Sequence, residues 1–370
     1  MSTQKSPALE RGIDLDLVER VLTPEGTRIA NPRLDPHLRG VDAARLRGLW
    51  RDMTVVRRID SEGIALQRQG QLGLWAPSRG QEAAQLGTAR ALRETDFIFP
   101  SYREHGVLFA RGAAPGDYVR VWRGEEGAAY DPAQMHMAPM QIIIGAQTLH
   151  ATGYAVGILR DGTDEVAVTY FGDGATSQGD VNEAMVFAAS YQAPVVFVCQ
   201  NNHWAISEPV ALQAKHPIAG RAPGFGIPSM RVDGNDVLAC YAAMRWASEH
   251  ARSGKGPAFL ELVTYRMGPH TTADDPTRYR SDAEVQAWAE RDPIARLEAH
   301  LRSLSELHDD HVAEVQDAAD AAAKELRRTC LGMVTRKPLA VFENVYAEPH
   351  SGLRRQRDEY SAHLAAFEGD

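Results

Sequence analysis

Residues 165–204 read EVAVTYFGDGATSQGDVNEAMVFAASYQAPVVFVCQNNHW, and the fold is decided there. Residues 166–171 form a short apolar, β-branched run stopped by Gly172, and residues 194–199 form a second one stopped by Gln200-Asn201-Asn202. Apolar runs of this length bounded by turn residues are the pattern of buried parallel strands. Between them Val181, Ala184, Met185 and Ala188 fall at helical spacing, and Asp180 with Glu183 three residues on predicts a helix capped at Asp180. A right-handed crossover makes the two strands parallel and brings Gly172-Asp173-Gly174 beside Asn201-Asn202 at their carboxyl ends.

Ligands of open α/β sheets bind beyond those ends, so this unit is a pocket floor. There Asp173 supplies a carboxylate, Asn202 an amide oxygen and the loop after it a backbone carbonyl, all of them hard oxygen donors. Such a set suits Mg²⁺, which is held by one or two protein carboxylates together with phosphate oxygens and water. Gly172 and Gly174 leave room for backbone N–H groups to approach a phosphate, and the helix that follows adds its dipole. The predicted ligand is a diphosphate carried on Mg²⁺. Either motif alone is an ordinary turn or loop; their placement at the ends of two strands one crossover apart carries the reading. A dinucleotide fingerprint fails, because Ser177 stands where G-x-G-x-x-G needs its third glycine and Asp173 would oppose a pyrophosphate.

Working outward, the 370 residues are 44% hydrophobic and 24% charged, the composition of an ordinary globular chain. The net charge of −9 argues against nonspecific nucleic-acid binding. No long apolar run and no signal peptide is present, so no membrane association and a cytoplasmic location are expected. Cys199, Cys240 and Cys330 have neither metal nor redox spacing.

Residues 1–40, broken by Pro7, Pro24, Pro32 and Pro36, read as an irregular arm laid on a partner. Residues 41–330 read as one α/β domain and 331–370 as a tail. From residue 46 to 69, Leu49, Met53, Val56, Ile59 and Leu66 make the stripe of a core helix. Tyr102-Arg103 offers a phenol and a planar guanidinium fork; taken alone, Arg103 reads as a surface partner of Glu104. Residues 134–147, QMHMAPMQIIIGAQ, are too apolar for a surface loop, and His136 among them reads equally as channel lining or core. In SMRVDGND, residues 229–236, Asp233 and Asp236 fit a plain turn better than a Ca²⁺ loop. Residues 266–280, RMGPHTTADDPTRYR, make a loop long and polar enough to be functional; it should stay mobile until a ligand orders it.

Gly172-Asp173-Gly174 followed by Asn201-Asn202 resembles the signature of thiamine-diphosphate enzymes. The neighbouring motifs, from about residue 46 to 301, resemble the alpha subunit of the decarboxylating first component of 2-oxo acid dehydrogenase complexes. The resemblance implies an α/β thiamine-diphosphate-binding fold, with a mostly parallel sheet, helices on both faces and a helical C-terminal region. It implies thiamine diphosphate and Mg²⁺ as cofactors, with the metal on Asp173, Asn202 and the main-chain oxygen of Trp204; Trp departs from the aromatic residue usual there. Tyr102, Arg103, Gly172, Asp173, Gly174, Ala175, Asn202 and Arg266 would hold the diphosphate, and backbone groups of Ile142 and Ile144 the aminopyrimidine. His270 would be catalytic, used as a cation beside diphosphate and substrate.

Thiamine chemistry also needs a carboxylate at the aminopyrimidine, and nothing in the chain resembles it. The resemblance therefore implies a beta subunit that completes each site in a tetramer of two alpha and two beta chains, with the tail packed on it. The implied reaction is oxidative decarboxylation of a small-molecule 2-oxo acid, with transfer of the acyl group to the lipoyl group of a separate acyltransferase. Residues 231–236 and 270–275 look more like branched-chain members, whereas residues 141–147 are shared with bacterial pyruvate members. Branched-chain substrates are expected over pyruvate. A transketolase needs a longer chain, and a non-catalytic scaffold would bind no cofactor.

Overall fold

The computed structural model describes residues 18–125, 130–343 and 345–367. In chain order the elements are α1 (Ala43–Arg68), α2 (Glu82–Ala89), β1 (Phe97–Phe99), α3 (His105–Ala110), α4 (Pro115–Arg123), α5 (Pro132–Met135), α6 (Ala146–Asp161), β2 (Ala167–Gly172), α7 (Gly179–Tyr191) and β3 (Val195–Asn201). There follow β4 (Trp204–Ala205), β5 (Glu208–Pro209), α8 (Val210–Gln213), β6 (Ser229–Asp233), α9 (Val237–His250), β7 (Ala258–Val263), α10 (Asp282–Ala289), α11 (Pro293–Ser303), α12 (Asp309–Gly332) and α13 (Ser351–Ala365).

Five strands form one sheet in the order β1-β2-β3-β7-β6, and every pair in it is parallel. The two strands read from residues 166–171 and 194–199 are β2 and β3, paired so that Gly172 lies opposite Gln200. Successive side chains of a strand point to opposite faces. Phe171, Phe197, Cys199 and Phe259 meet Ala184, Met185 and Ala188 of α7 and Ala151, Ala155 and Ile158 of α6 in one buried cluster. On the other face the Tyr170 hydroxyl donates to Thr88 of α2 at 2.9 Å, and α9 packs on β6 and β7. Helices therefore cover both faces, which is why the strands read as continuous apolar runs.

The crossover helix starts differently from the expectation. Gln178 is its N-cap residue and makes no side-chain capping bond; Asp180 lies in the first turn. A 3-10 turn at Asp173–Ser177, closed by the Thr176 hydroxyl on the Asp173 carbonyl at 2.7 Å, takes up the residues between strand and helix. The acidic side chain still favours the helix N-terminus electrostatically, but without capping it.

Asp236 is a structural anchor. Its Oδ1 accepts the N–H groups of Leu238 and Ala239 at the start of α9, and its Oδ2 accepts those of Val21 and Leu22 at 2.7 and 2.6 Å. Asp233 pairs with buried Arg296 at 3.0 Å, so neither carboxylate is free for a cation. Residues 18–40 are irregular but lie on the chain's own sheet edge, where Glu19 bridges to Val232 and Val21, Leu22 and Leu34 are fully buried. Three apolar side chains, each contributing about 1.5–3 kcal/mol on burial, outweigh a free arm there. Residues 1–17 of that expected arm fall outside the described residues.

The chain divides into two compact units, Met1–Cys330 and Leu331–Asp370. The second contains a 3-10 turn at Pro338–Phe342 and α13, neither of which has a buried residue. Val334, Val341, Tyr346 and Phe367 are all exposed in it. Among the described residues no helix is long and apolar enough to cross a membrane.

Candidate active site

A cavity of about 250 Å³ opens at the carboxyl ends of β2 and β3. Its wall includes Gly172, Asp173, Gly174 and Ala175 after β2, Gln200 and Asn202 from β3 and its end, and Trp204, Ala205 and Ile206 beyond. Tyr102, Arg103 and Glu104 enter from the loop before α3, Ile144, Gly145 and Gln147 from the start of α6, and His270 from the long loop after β7. Of the residues expected to hold cofactor or metal, Ile142 and Arg266 are absent from this wall. Ile142 is 57% exposed. Arg266 is fully buried behind the wall, where its guanidinium donates to the carbonyls of Trp204 and Ile206 and to the Tyr279 hydroxyl, at 3.0, 2.8 and 2.8 Å. Those acceptors leave Arg266 as a brace of the loops, not a donor at the cavity surface.

Asp173 is buried to 1% exposure, its carboxyl meeting Gln213 Nε2 at 3.3 Å and the backbone of Asn202 and of its own residue but making no ion pair among the described residues, and burial pushes it up to about 6. A buried carboxylate without a cationic partner in contact is a site for a cation. Among the described residues no group of three or more His, Cys, Asp or Glu side chains is placed to hold a metal, so a cation here would need ligands of other kinds beside Asp173. Asn202 Nδ2 donates to Gln81 at 2.9 Å, and its Oδ1 accepts only a long bond from the Trp204 N–H at 3.3 Å. Gly172 has nothing within 4 Å of where a Cβ would stand, whereas a Cβ on Gly174 would meet Ala205 at 2.7 Å. Gly172 thus keeps space open, and Gly174 allows β4 to close on the turn.

Arg103 is buried and turns away from Glu104. It donates to the carbonyls of Pro77 and His270 at 2.6 and 2.9 Å and faces His270 Nδ1 at 3.2 Å. With Arg266 Nη1 also 3.4 Å from that nitrogen, Nδ1 is an acceptor and the ring proton belongs on Nε2. Burial, then Arg103 and Arg266, lower His270 to about 3, so the imidazole is neutral, against the expected cation. Its loop is also tied down. Thr272 pairs with the Trp75 backbone through both its N–H and its hydroxyl, and Arg280 caps the carbonyls of Arg266, Met267 and Gly268. The sequence expectation of a loop awaiting its ligand is replaced by one held by the protein itself.

A family profile described as Dehydrogenase E1 component matches residues 50–329. The chain belongs to the dehydrogenase E1 component family. It is 48% identical over 354 residues, 95% of each chain, to the 3-methyl-2-oxobutanoate dehydrogenase subunit alpha of Mycobacterium tuberculosis. It is 36% identical over 347 residues to the pyruvate dehydrogenase E1 component subunit alpha of Acholeplasma laidlawii, covering 91% of this chain and 98% of that one. To the same-named subunit of Staphylococcus epidermidis it is 40% identical over 318 residues, 84% of this chain and 85% of that one.

An E1 dehydrogenase component is an enzyme whose family implies thiamine diphosphate, and the cavity can be tested against that group. Four buried polar atoms on its wall have no protein partner: Gln81 Nε2, Glu104 Oε2, Gln147 Oε1 and Gln200 Oε1. Unpaired buried polar groups are costly, and a polar ligand would satisfy them. Together with the buried carboxylate of Asp173, they make this E1 chain fit a ligand rich in donors and acceptors. Sequence reasoning missed these four residues. Gln200, which directly precedes Asn201-Asn202, Glu104, which directly follows Tyr102-Arg103, and Gln147, which ends the apolar 134–147 stretch, stood beside motifs already noted; Gln81 is brought in by an element distant from them. His136, left open between channel lining and core, is absent from the wall and follows α5 as its C-cap with a positive φ of 49°.

Proposed function

We propose that this E1 chain is the alpha subunit of a branched-chain 2-oxo acid dehydrogenase, acting in the cytoplasm on 2-oxoisovalerate, another name for 3-methyl-2-oxobutanoate. One observation carries the substrate: 48% identity along 95% of both chains to a subunit named for that 2-oxo acid, against 36–40% for those named for pyruvate. A beta subunit would complete each site in a tetramer of two alpha and two beta chains, with residues 331–370 packed on it, and a lipoyl acyltransferase would receive the acyl group. Among the described residues the cavity wall carries two carboxylates, Asp173 proposed for the metal and Glu104 bound by Gln200 Nε2 at 2.6 Å, and this supports the need for a partner that brings one for the aminopyrimidine.

Thiamine diphosphate, when bound, supplies the carbanion stabilisation that decarboxylation requires. Asp173 and Asn202 would hold Mg²⁺ with the Trp204 carbonyl, which retains a lone pair beside its bond from Arg266. Tyr102 would donate to phosphate oxygens, and Arg103 lends positive potential at the same wall. Gly172 admits the ligand next to the backbone. Ile144 would shape the apolar part of the cavity, with the exposed Ile142 beside it toward the partner. His270 keeps its proton on Nε2 and presents it as a neutral donor to charge developing on substrate oxygen. Arg103 and Arg266 hold that tautomer from the other side of the ring.

The test is turnover of the assembled alpha-beta complex with 2-oxoisovalerate and pyruvate side by side. The branched substrate should give the larger kcat/KM. A preference for pyruvate transfers the chain to the pyruvate class. An assembled complex that binds no thiamine diphosphate refutes the enzyme reading as a whole.

A further inference from the structure

Segment 75–81 has no helix or strand, yet almost every residue of it holds part of the site. Trp75 pairs with Thr272, its N–H donating to Thr272 Oγ1 at 3.0 Å and its carbonyl accepting the Thr272 N–H at 2.9 Å. The Pro77 carbonyl accepts from Arg103 at 2.6 Å and the Arg79 carbonyl from the Met267 N–H at 3.1 Å. The Gly80 carbonyl accepts from Thr264 Oγ1 at 2.6 Å, and Gln81 Oε1 accepts from Asn202 at 2.9 Å. Arg103, the loop carrying His270, and Asn202 are thus registered against one another through a single strap of irregular chain.

What fixes the strap is a side chain outside the cavity. Asp60, on α1 and 2% exposed, accepts from Trp75 Nε1 at 2.8 Å, from the Ser78 N–H at 3.0 Å and from the Arg79 N–H at 3.1 Å. One helical turn on, Gly63 makes the seat for the indole; a Cβ there would stand 2.2 Å from the Trp75 ring. A carboxylate is an expensive group to bury, and charge-assisted bonds from three N–H donors recover that cost only while the strap keeps this shape.

We propose that Asp60 is a positioning residue of the active site: by locking segment 75–81 on α1 it sets Arg103 and holds the loop 267–272 in place. The part of this that concerns cofactor rests on the function proposed above; the part that concerns the loop does not.

The experiment compares Asp60→Asn with Asp96→Asn in the full chain co-purified with its partner. Asp96 is equally buried and bound to Arg252, but sits at the opposite, amino end of the sheet, accepting the Val166 N–H. Thermal midpoint, cleavage rate of the loop by added protease without ligand, and thiamine diphosphate affinity by calorimetry are read for both. Asp60→Asn should weaken cofactor affinity about tenfold and speed loop cleavage by a similar factor, in the range for residues that orient site groups. Asp96→Asn should lower only the thermal midpoint. Parental affinity and cleavage in folded Asp60→Asn overturn the proposal, as does Asp96→Asn reproducing both losses. Should Asp60→Asn fail to fold, Thr272→Val cuts the strap-to-loop bond without touching α1; it too should speed cleavage, and an unchanged rate overturns the proposal. If the unmutated complex binds no thiamine diphosphate, the cofactor reading falls while loop cleavage still decides the role of Asp60.

Discussion

The Arg103 guanidinium donates to the backbone carbonyl of His270 at 2.9 Å while facing the Nδ1 of the same residue at 3.2 Å. One cation thereby fixes both the loop and the tautomer of its imidazole. His270→Ala keeps the backbone bond and loses only the ring. Loop order and thermal midpoint should therefore hold, while kcat of the assembled complex falls roughly ten- to a hundredfold, the equivalent of losing about 1.5–3 kcal/mol from one charge-assisted hydrogen bond. A turnover close to the parent's would remove His270 from the chemistry.

Asp173→Ala tests the metal. The side chain makes no ion pair among the described residues and its bond from the Gln213 side chain is long at 3.3 Å, so the fold should survive its removal. Calorimetry in Mg²⁺ should show loss of thiamine diphosphate binding with a folded protein, because the diphosphate loses its bridging cation. Unchanged affinity would place the cation elsewhere.

Glu104 gives a pH dependence with a definite sign. Burial pushes its carboxyl up to about 7 from the ordinary 4.5, so the folded chain holds this proton more tightly than the unfolded one. Its stability contribution is complete below about 4.5 and is lost as pH rises through 7. Glu104→Gln retains the acceptor for Gln200 but never ionises. The variant should melt above the parent at pH 8, with the gap closing toward pH 5; a constant gap across that range would contradict a shifted Glu104.

Gly63→Ala adds one methyl into the Trp75 ring. Overpacking of this kind typically costs about 1–3 kcal/mol, and the indole can yield only by giving up Asp60. A thermal midpoint several degrees lower is expected, with faster loop cleavage; an unaltered midpoint would mean that the indole has another place to go.

The pure alpha chain should be inactive at any concentration of thiamine diphosphate and Mg²⁺, since the carboxylate for the aminopyrimidine is proposed to come from the partner. Decarboxylation by the chain without a partner would refute this.

What the sequence made legible was the part written in local periodicity. The strands around Gly172 and Asn201, the parallel crossover and the meeting of Asp173 with Asn202 all follow from a single stretch of chain. Tyr102, Arg103, Ile144, Trp204 and His270 reach the same cavity, and for these the motif register decided where spacing alone did not. The strap and Asp60 were invisible because a buried aspartate in a helix has no periodic signature, and its partners follow it across a turn. The surroundings of Arg266 and His270 were not legible for a common reason: charge in a sequence looks available, whereas here burial commits the Arg266 guanidinium to two carbonyls and a hydroxyl and sets the His270 imidazole against Arg103 and Arg266.

The pairing of Gly172 with Gln200 carries a further consequence. Sliding β2 by one residue along β3 would move Asp173 about 3.3 Å from Asn202 and at the same stroke turn Phe171 off the face it shares with Phe197 and Phe259. The alignment of the ligand-facing oxygens and the interdigitation of the aromatic layer are therefore one and the same constraint. A sequence drifting through mutation cannot detune this part of the catalytic floor gradually: the strands are either in step, with both intact, or out of step, with neither.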